Sequence, residues 1–320
     1  MYKLLTIIRN TFTETIRQPV YGVIIAAALL LLAIGPHLTM YTMEDDNKLL
    51  REVGLSTLFL ASLFISIFAA SGAVGHEIEN KTILTVLSKP VQRPVFILAK
   101  FFGVAGAAAL AHYICTIALL MAIRHGVIET VRDEYDMTVM LSAAAAILFT
   151  VLLSALFNYV YDWKFSSTAI VLGSIFATFV IIFLALVDRN WQYNPQENSI
   201  NLLDIYASIL LFLGALVIIA LATALSARFN TVVTLSGCIG LFLLGLISDY
   251  TFGRFADDYL LARIFYHIVP NLQVFWVSDA IYEEAVVPLG YILTAGIYAV
   301  TYTAGILALA IAVFQRRQVG

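Results

Sequence analysis

Apolar residues in this chain gather in long unbroken runs, with polar residues collected between them. Uncharged stretches occupy roughly 20–39, 55–75, 101–123, 139–160, 166–187, 205–227, 229–248 and 286–313. A bilayer core needs about 20 apolar residues per helix, so the pattern predicts about eight transmembrane helices. A ninth run, Ile264 to Ser278, is too short and carries His267, Pro270 and Asn271. Proline breaks a spanning helix, so this run reads as an interfacial or re-entrant segment, with Phe275 and Trp276 as interface anchors. The first 18 residues follow another rule. Leu4, Leu5, Ile8, Phe12 and Ile16 recur at helical spacing, with Arg9, Glu14 and Arg17 on the other side, and Pro19 closes the segment. That is the pattern of a short amphipathic helix lying in the membrane interface. It lacks the small-residue cleavage site of a signal peptide.

Composition agrees with the runs. Hydrophobic residues make up 61% of the 320 residues and charged residues 12%, against about 45–50% and about 25% in soluble domains. Disorder, collagen and a disulfide-stapled fold are excluded. With a net charge of −3 and no Lys/Arg block, nucleic-acid binding is excluded too. Cys115 and Cys238 sit inside apolar runs and read as small buried hydrophobes. Charge then orients the chain. If the termini are cytoplasmic and eight spans alternate, 11 of the 18 Lys and Arg residues fall inside, as the positive-inside rule favours. Seventeen of the 21 acidic residues fall outside. The outer segment 249–285, with Asp257, Asp258, Asp279, Glu283 and Glu284, reads as a solvated acidic rim. The expectation is a multi-pass protein of the plasma (inner) membrane with both termini cytoplasmic.

Familiar catalytic chemistry is missing. There is no G-x-x-x-x-G-K-[ST] phosphate loop and no dinucleotide fingerprint. His76-Glu77 opens like a zincin helix, but Asn80 stands at the second ligand position. The pairs Ser71-Gly72 and Ser236-Gly237 suit close helix contacts better than a protease. His112 is the one ionisable group well inside a span, and it reads as a side chain bonded to a neighbouring helix. Asn158 and Asp249 lie at span ends. No series of carboxylates crosses the bilayer, as one usually does in a proton- or sodium-driven pump. No catalytic, metal or cofactor residues are expected in this chain.

One polar connection stands apart, residues 76–100. Glu77 and Glu79 open it. Thr82, Ile83, Leu84, Val86 and Leu87 form an amphipathic turn, and Ser88, Lys89 and Pro90 end it. Arg93 and Pro94 begin the return, and Lys100 precedes the third span. Acidic residues near the start and lysine near the end suit a short helix dipole. The apolar residues exceed what a solvated loop needs and fit a groove on a cytoplasmic partner.

The order Glu-x-Glu-x-x-Thr-(apolar)-Leu-x-x-Leu-Ser-x-Pro-x-x-Arg resembles the first cytoplasmic loop of permease subunits in the ABC type-2 exporter superfamily. The opening LLTIIRNTFTETIRQPVY is similar to that family's interfacial helix. LATALSARFNTVVT at 221–234, IVPNLQVFWVSDAI at 268–281 and the ending AVFQRRQ are similar to its later segments. The chain departs from the family in having eight runs where about six spans are usual, the extra hairpin being 139–187. It also has Lys81 where glycine is common. The resemblance implies an all-α polytopic permease: an interfacial helix at 1–18, then a transmembrane domain at 19–320 with a six-helix core. It implies an exporter subunit that forms the substrate path. Separate ABC ATPase subunits would carry ATP and Mg, and a second permease subunit, identical or not, would complete the assembly. Loop 76–100 would then be the coupling contact, made by Glu77, Glu79, Thr82, Leu84, Leu87, Ser88, Pro90 and Arg93. The alternative is a secondary transporter or channel not driven by ATP.

Overall fold

The structure is a computed structural model and describes residues 2–38, 46–75, 92–128, 134–195, 201–277, 280 and 287–315. Ten helices of nine or more residues organise these. They are α1 (Tyr2–Ile16), α2 (Pro19–Leu38), α3 (Asp46–Ala70), α4 (Arg93–His125), α5 (Met137–Tyr161), α6 (Phe165–Leu186), α7 (Leu202–Ser226), α8 (Thr231–Leu246), α9 (Leu260–Ile268) and α10 (Leu289–Gln315). A π-helical turn, Ser71–Gly75, continues α3. Among the described residues the only strand pairing is an isolated bridge between Val187 and Tyr193.

Among the described residues seven helices are long and apolar enough to cross a membrane, α2 to α7 and α10, and α8 with residues 248–255 would make an eighth if that bent pair is one span. Each of the seven grows from one of the predicted runs. The remaining run, 229–248, departs from expectation. It forms α8, only 16 residues long, or about 24 Å against a hydrocarbon core of about 30 Å. The chain then bends by 70° into residues 248–255. The cause is local. In a continuous helix the Gly245 carbonyl would accept from Asp249. Here it accepts from the Leu272 N–H at 3.0 Å and the Ser248 hydroxyl at 3.2 Å. Only glycine allows this approach, since a Cβ at 245 would lie 2.7 Å from the Pro270 carbonyl oxygen.

The segment that meets α8 reaches the middle of the bundle. Phe275 packs on Gly214, at the midpoint of the 25-residue α7. The Tyr302 hydroxyl, near the middle of α10, donates to the Ile268 carbonyl. Phe275 is therefore a core residue rather than an interface anchor, and Trp276 is partly buried against the core. Phe275 is fully buried and Trp276 packs beside Phe59. The physical reason is the flat space over Gly214, which accepts a ring that would otherwise seek the headgroups.

The core lies where α3, α4 and α7 pack together, with α2 and α10 against them. The α5–α6 hairpin is peripheral. Only Thr138, Val139 and Ser154 of α5 are buried, and only Thr168, Ile170, Val180 and Leu184 of α6.

Candidate functional site

The bundle has two ends with different chemistry. One end, here the loop end, gathers α1, the exit of α3, the entry of α4, the α5–α6 turn, the α7–α8 turn and the exit of α10. The helix polarity that puts α3's exit there puts the neighbouring ends of α4 and α10 beside it.

Arg93 organises this end. It opens α4 beside Pro94, whose ring suits the first helical turn. Its Nη1 donates to the Phe314 carbonyl at 3.2 Å and the Gln315 carbonyl at 2.7 Å. These carbonyls belong to the last turn of α10, where a cation is favoured by the helix dipole. The guanidinium also stands 5.9 Å from the Phe314 ring centroid, and Phe314 stacks on Phe96 at 5.8 Å. Both rings are fully buried. The Lys100 ammonium stands 5.7 Å from the Phe96 ring centroid. The start of α4 and the end of α10 are thus one packed unit.

α1 joins the same unit. A Cβ at Gly103 would lie 2.6 Å from the Thr11 Cβ and 2.9 Å from the Ile8 carbonyl oxygen. Glycine at 103 lets α1 lie directly on α4. The buried stripe of α1 is Thr11, Thr15 and Ile16, while Leu5 stays exposed. Gln18 at the end of α1 reaches Gly72 in the turn that continues α3. α1 therefore touches both helices that flank residues 76–91.

Of the predicted contact residues, Glu77, Glu79, Thr82, Leu84, Leu87, Ser88 and Pro90 lie outside the described residues. Arg93 is described, and its role in holding α10 is one that sequence reasoning misses. The only signal is a basic residue beside a helix-starting proline, and its partner lies 221 positions away.

A second polar centre lies inside the bundle. His112 of α4 bonds Ser62 of α3 through Nδ1 at 2.8 Å. Its Nε2 meets the Ser208 carbonyl of α7 at 2.9 Å and the Ser208 hydroxyl at 3.0 Å. A carbonyl can only accept, so Nε2 carries the hydrogen and Nδ1 accepts from the Ser62 hydroxyl. The Thr116 hydroxyl donates to the His112 carbonyl, and Ser208 Oγ lies 2.7 Å from Thr116 Oγ1. Three core helices are tied by one neutral imidazole.

The far end is held by charge. Asp136 is fully buried. Its Oδ2 lies 3.2 Å from Arg124 Nε and 3.5 Å from Arg189 Nε. Its Oδ1 accepts from the Val139 N–H at 3.1 Å, capping α5, and from the Thr138 hydroxyl. Arg124 continues to the Leu184 and Val187 carbonyls at the exit of α6. Burial alone pushes the Asp136 carboxyl up. The bonds from Thr138, Val139 and Arg124 outweigh it and hold the carboxyl below its ordinary range. Arg51 of α3 stands 3.6 Å from Asp204 of α7.

Three tyrosines of α10 fasten the segment 268–274. Tyr291 donates to the Val274 carbonyl at 2.7 Å, Tyr298 accepts from the Asn271 N–H at 2.8 Å, and Tyr302 holds Ile268. Asp249 accepts from Tyr266 at 2.7 Å.

A family profile described as ABC-2 family transporter protein matches residues 23–232. The match runs from α2 into the first turn of α8 and includes the α5–α6 hairpin. No curated protein and no solved structure matches the chain.

Proposed function

The chain belongs to the ABC-2 transporter family as a membrane-spanning transporter component, and from that premise we propose that it is the permease of an ATP-driven exporter whose motor is a separate ATPase subunit. The ATPase docks on loop 76–100, whose last residues form the start of α4, with Glu77, Glu79, Thr82, Leu84, Leu87, Ser88, Pro90 and Arg93 at the contact. The loop end is cytoplasmic in this reading, so both termini are cytoplasmic. ATP and Mg sit on the partner, and a second permease subunit completes the substrate path.

The observation that carries the reading is the unit behind the loop. The chain leaves residues 76–91 directly into α4, and Arg93 ties the first turn of α4 to the last turn of α10. α1 lies across the same stretch of α4 at Gly103. Displacement of the loop by closing ATPases is thereby passed to α4, α10 and α1 together. A packed contact transmits it because interiors resist continuous deformation. The energy enters as the difference in contact between two ATPase states.

The test is co-purification of the tagged chain, gently solubilised from its native membrane, with a separate P-loop ATPase, followed by ATP hydrolysis by the complex. Leu84→Asp and Leu87→Asp should each release the ATPase while the permease keeps its thermal transition. Recovery of an intact complex from both variants would remove the loop from the contact. Ion-gradient-driven flux in liposomes by this chain alone would replace the reading with secondary transport.

A further inference from the structure

A second feature of the loop end is a groove of about 660 Å³ between α1 and the α5–α6 turn. Arg9, Asn10, Glu14, Arg17 and Gln18 line it from the α1 side, and Lys164 closes it from the turn. Three cations face one carboxylate. Among the described residues Arg9, Arg17 and Lys164 have no ion-pair partner, Glu14 included.

Both walls are held in place. α1 is fixed on α4 by its close contact at Gly103. The turn is fixed by Asp162, which adopts a left-handed conformation with φ of 54° and bonds the Phe157 carbonyl through its N–H. Asn158 Nδ2 donates to the Trp163 carbonyl at 2.5 Å. The groove is also at headgroup depth. Tyr159, Tyr161 and Trp163 are exposed beside Lys164, as residues of an interfacial belt are. Val20 and Val23, which follow the groove's Pro19 in α2, and Phe165, which follows Lys164 at the start of α6, are exposed and apolar. The entries of α2 and α6 meet here, and neither carries an acidic residue in its first turn. Their dipoles add to the positive field of the side chains.

We propose that this groove binds the phosphate headgroup of an anionic phospholipid, its acyl chains lying along the exposed residues of α2 and α6. Arg9, Arg17 and Lys164 neutralise the phosphate, and Asn10 and Gln18 bond its oxygens or the glycerol. An acidic protein surface would not need the exposed apolar path that continues the groove into the bilayer. The lining comes from the α1 side, Pro19 and Lys164, so the site does not depend on a motor.

Native mass spectrometry of the intact, detergent-solubilised protein tests it, with phosphatidylglycerol and phosphatidylcholine offered together. The wild type should retain one phosphatidylglycerol in preference to phosphatidylcholine. The variant R9Q/R17Q/K164Q should lose that preference by about tenfold or more, from three membrane-surface cations removed. R9K/R17K, which keeps the charge, should retain it, and Arg228→Gln, at the same end but outside the groove, should leave it unchanged. Excess inorganic phosphate should not displace the lipid. Equal retention by the triple variant, equal loss in Arg228→Gln, or displacement by phosphate alone would each overturn the proposal.

Discussion

At the scale of single residues, the chain uses its few buried polar groups as ties between helices. His112 is the clearest case. Its tautomer is set by the Ser208 carbonyl, so its other nitrogen is available only as an acceptor for Ser62. His112→Leu removes both bonds and leaves groups that can fall back on their own helices. The cost should be about 1–2 kcal/mol, between the mean for polar contacts in membranes and that for an unsatisfied buried group. His112→Gln keeps a donor toward Ser208 but lacks the acceptor at the Nδ1 position, so it should fall between wild type and His112→Leu. Thermal unfolding in detergent, followed by tryptophan fluorescence, reads the order. A variant order in which Gln is worse than Leu would mean that the histidine is not a tie. The position of His112 in an apolar run makes a bonded histidine legible in the sequence. Its partners are not, because Ser62 and Ser208 are 50 and 96 positions away and serine occurs in most of the runs.

At the scale of elements, seven of the eight apolar runs become full-length helices because nothing competes with the helix for their backbone groups. The remaining run is bent by 70° for a reason outside itself. Its Gly245 carbonyl is taken by Leu272, a long-range bond that hydropathy does not register. The same limit applies to α1. Its amphipathic spacing is visible in the sequence, but the face that packs is the threonine stripe fitting Gly103. The α5–α6 hairpin shows how a peripheral element is held. Its far end depends on Asp136, which Arg124 and Arg189 flank. A carboxyl held below its ordinary range stabilises the fold above its unfolded value of about 4 and loses that contribution as pH falls through the lowered value. Asp136→Asn should therefore lower the melting temperature at neutral pH. The gap from wild type should close as the pH is taken well below 4. A gap that stays constant down to that pH would show that the charge of Asp136 does not anchor the hairpin.

At the scale of the whole molecule, the two ends divide the work. The far end is fastened by ion pairs between α3 and α7 and among α4, α5 and α6. The loop end is fastened by the Arg93 unit and by α1, which touch the two elements that flank residues 76–91. In the proposed mechanism α4 and α10 move as one body at that end, since pulling them apart would strip both bonds from Arg93 and unstack the buried rings of Phe96 and Phe314. This sets a sharp expectation for a tether. With Cys115 and Cys238 replaced by alanine, cysteines at Phe96 and Phe314, whose rings stack at 5.8 Å, can be joined by a short thiol-reactive linker. The joined permease should still raise the hydrolysis rate of its ATPase, to within about twofold of the unjoined protein, a difference well under 1 kcal/mol in barrier. A tether that silences the ATPase while leaving the complex assembled would show that α4 and α10 separate during each cycle. The push from the loop would then have to travel through α4 and α1 without the last helix.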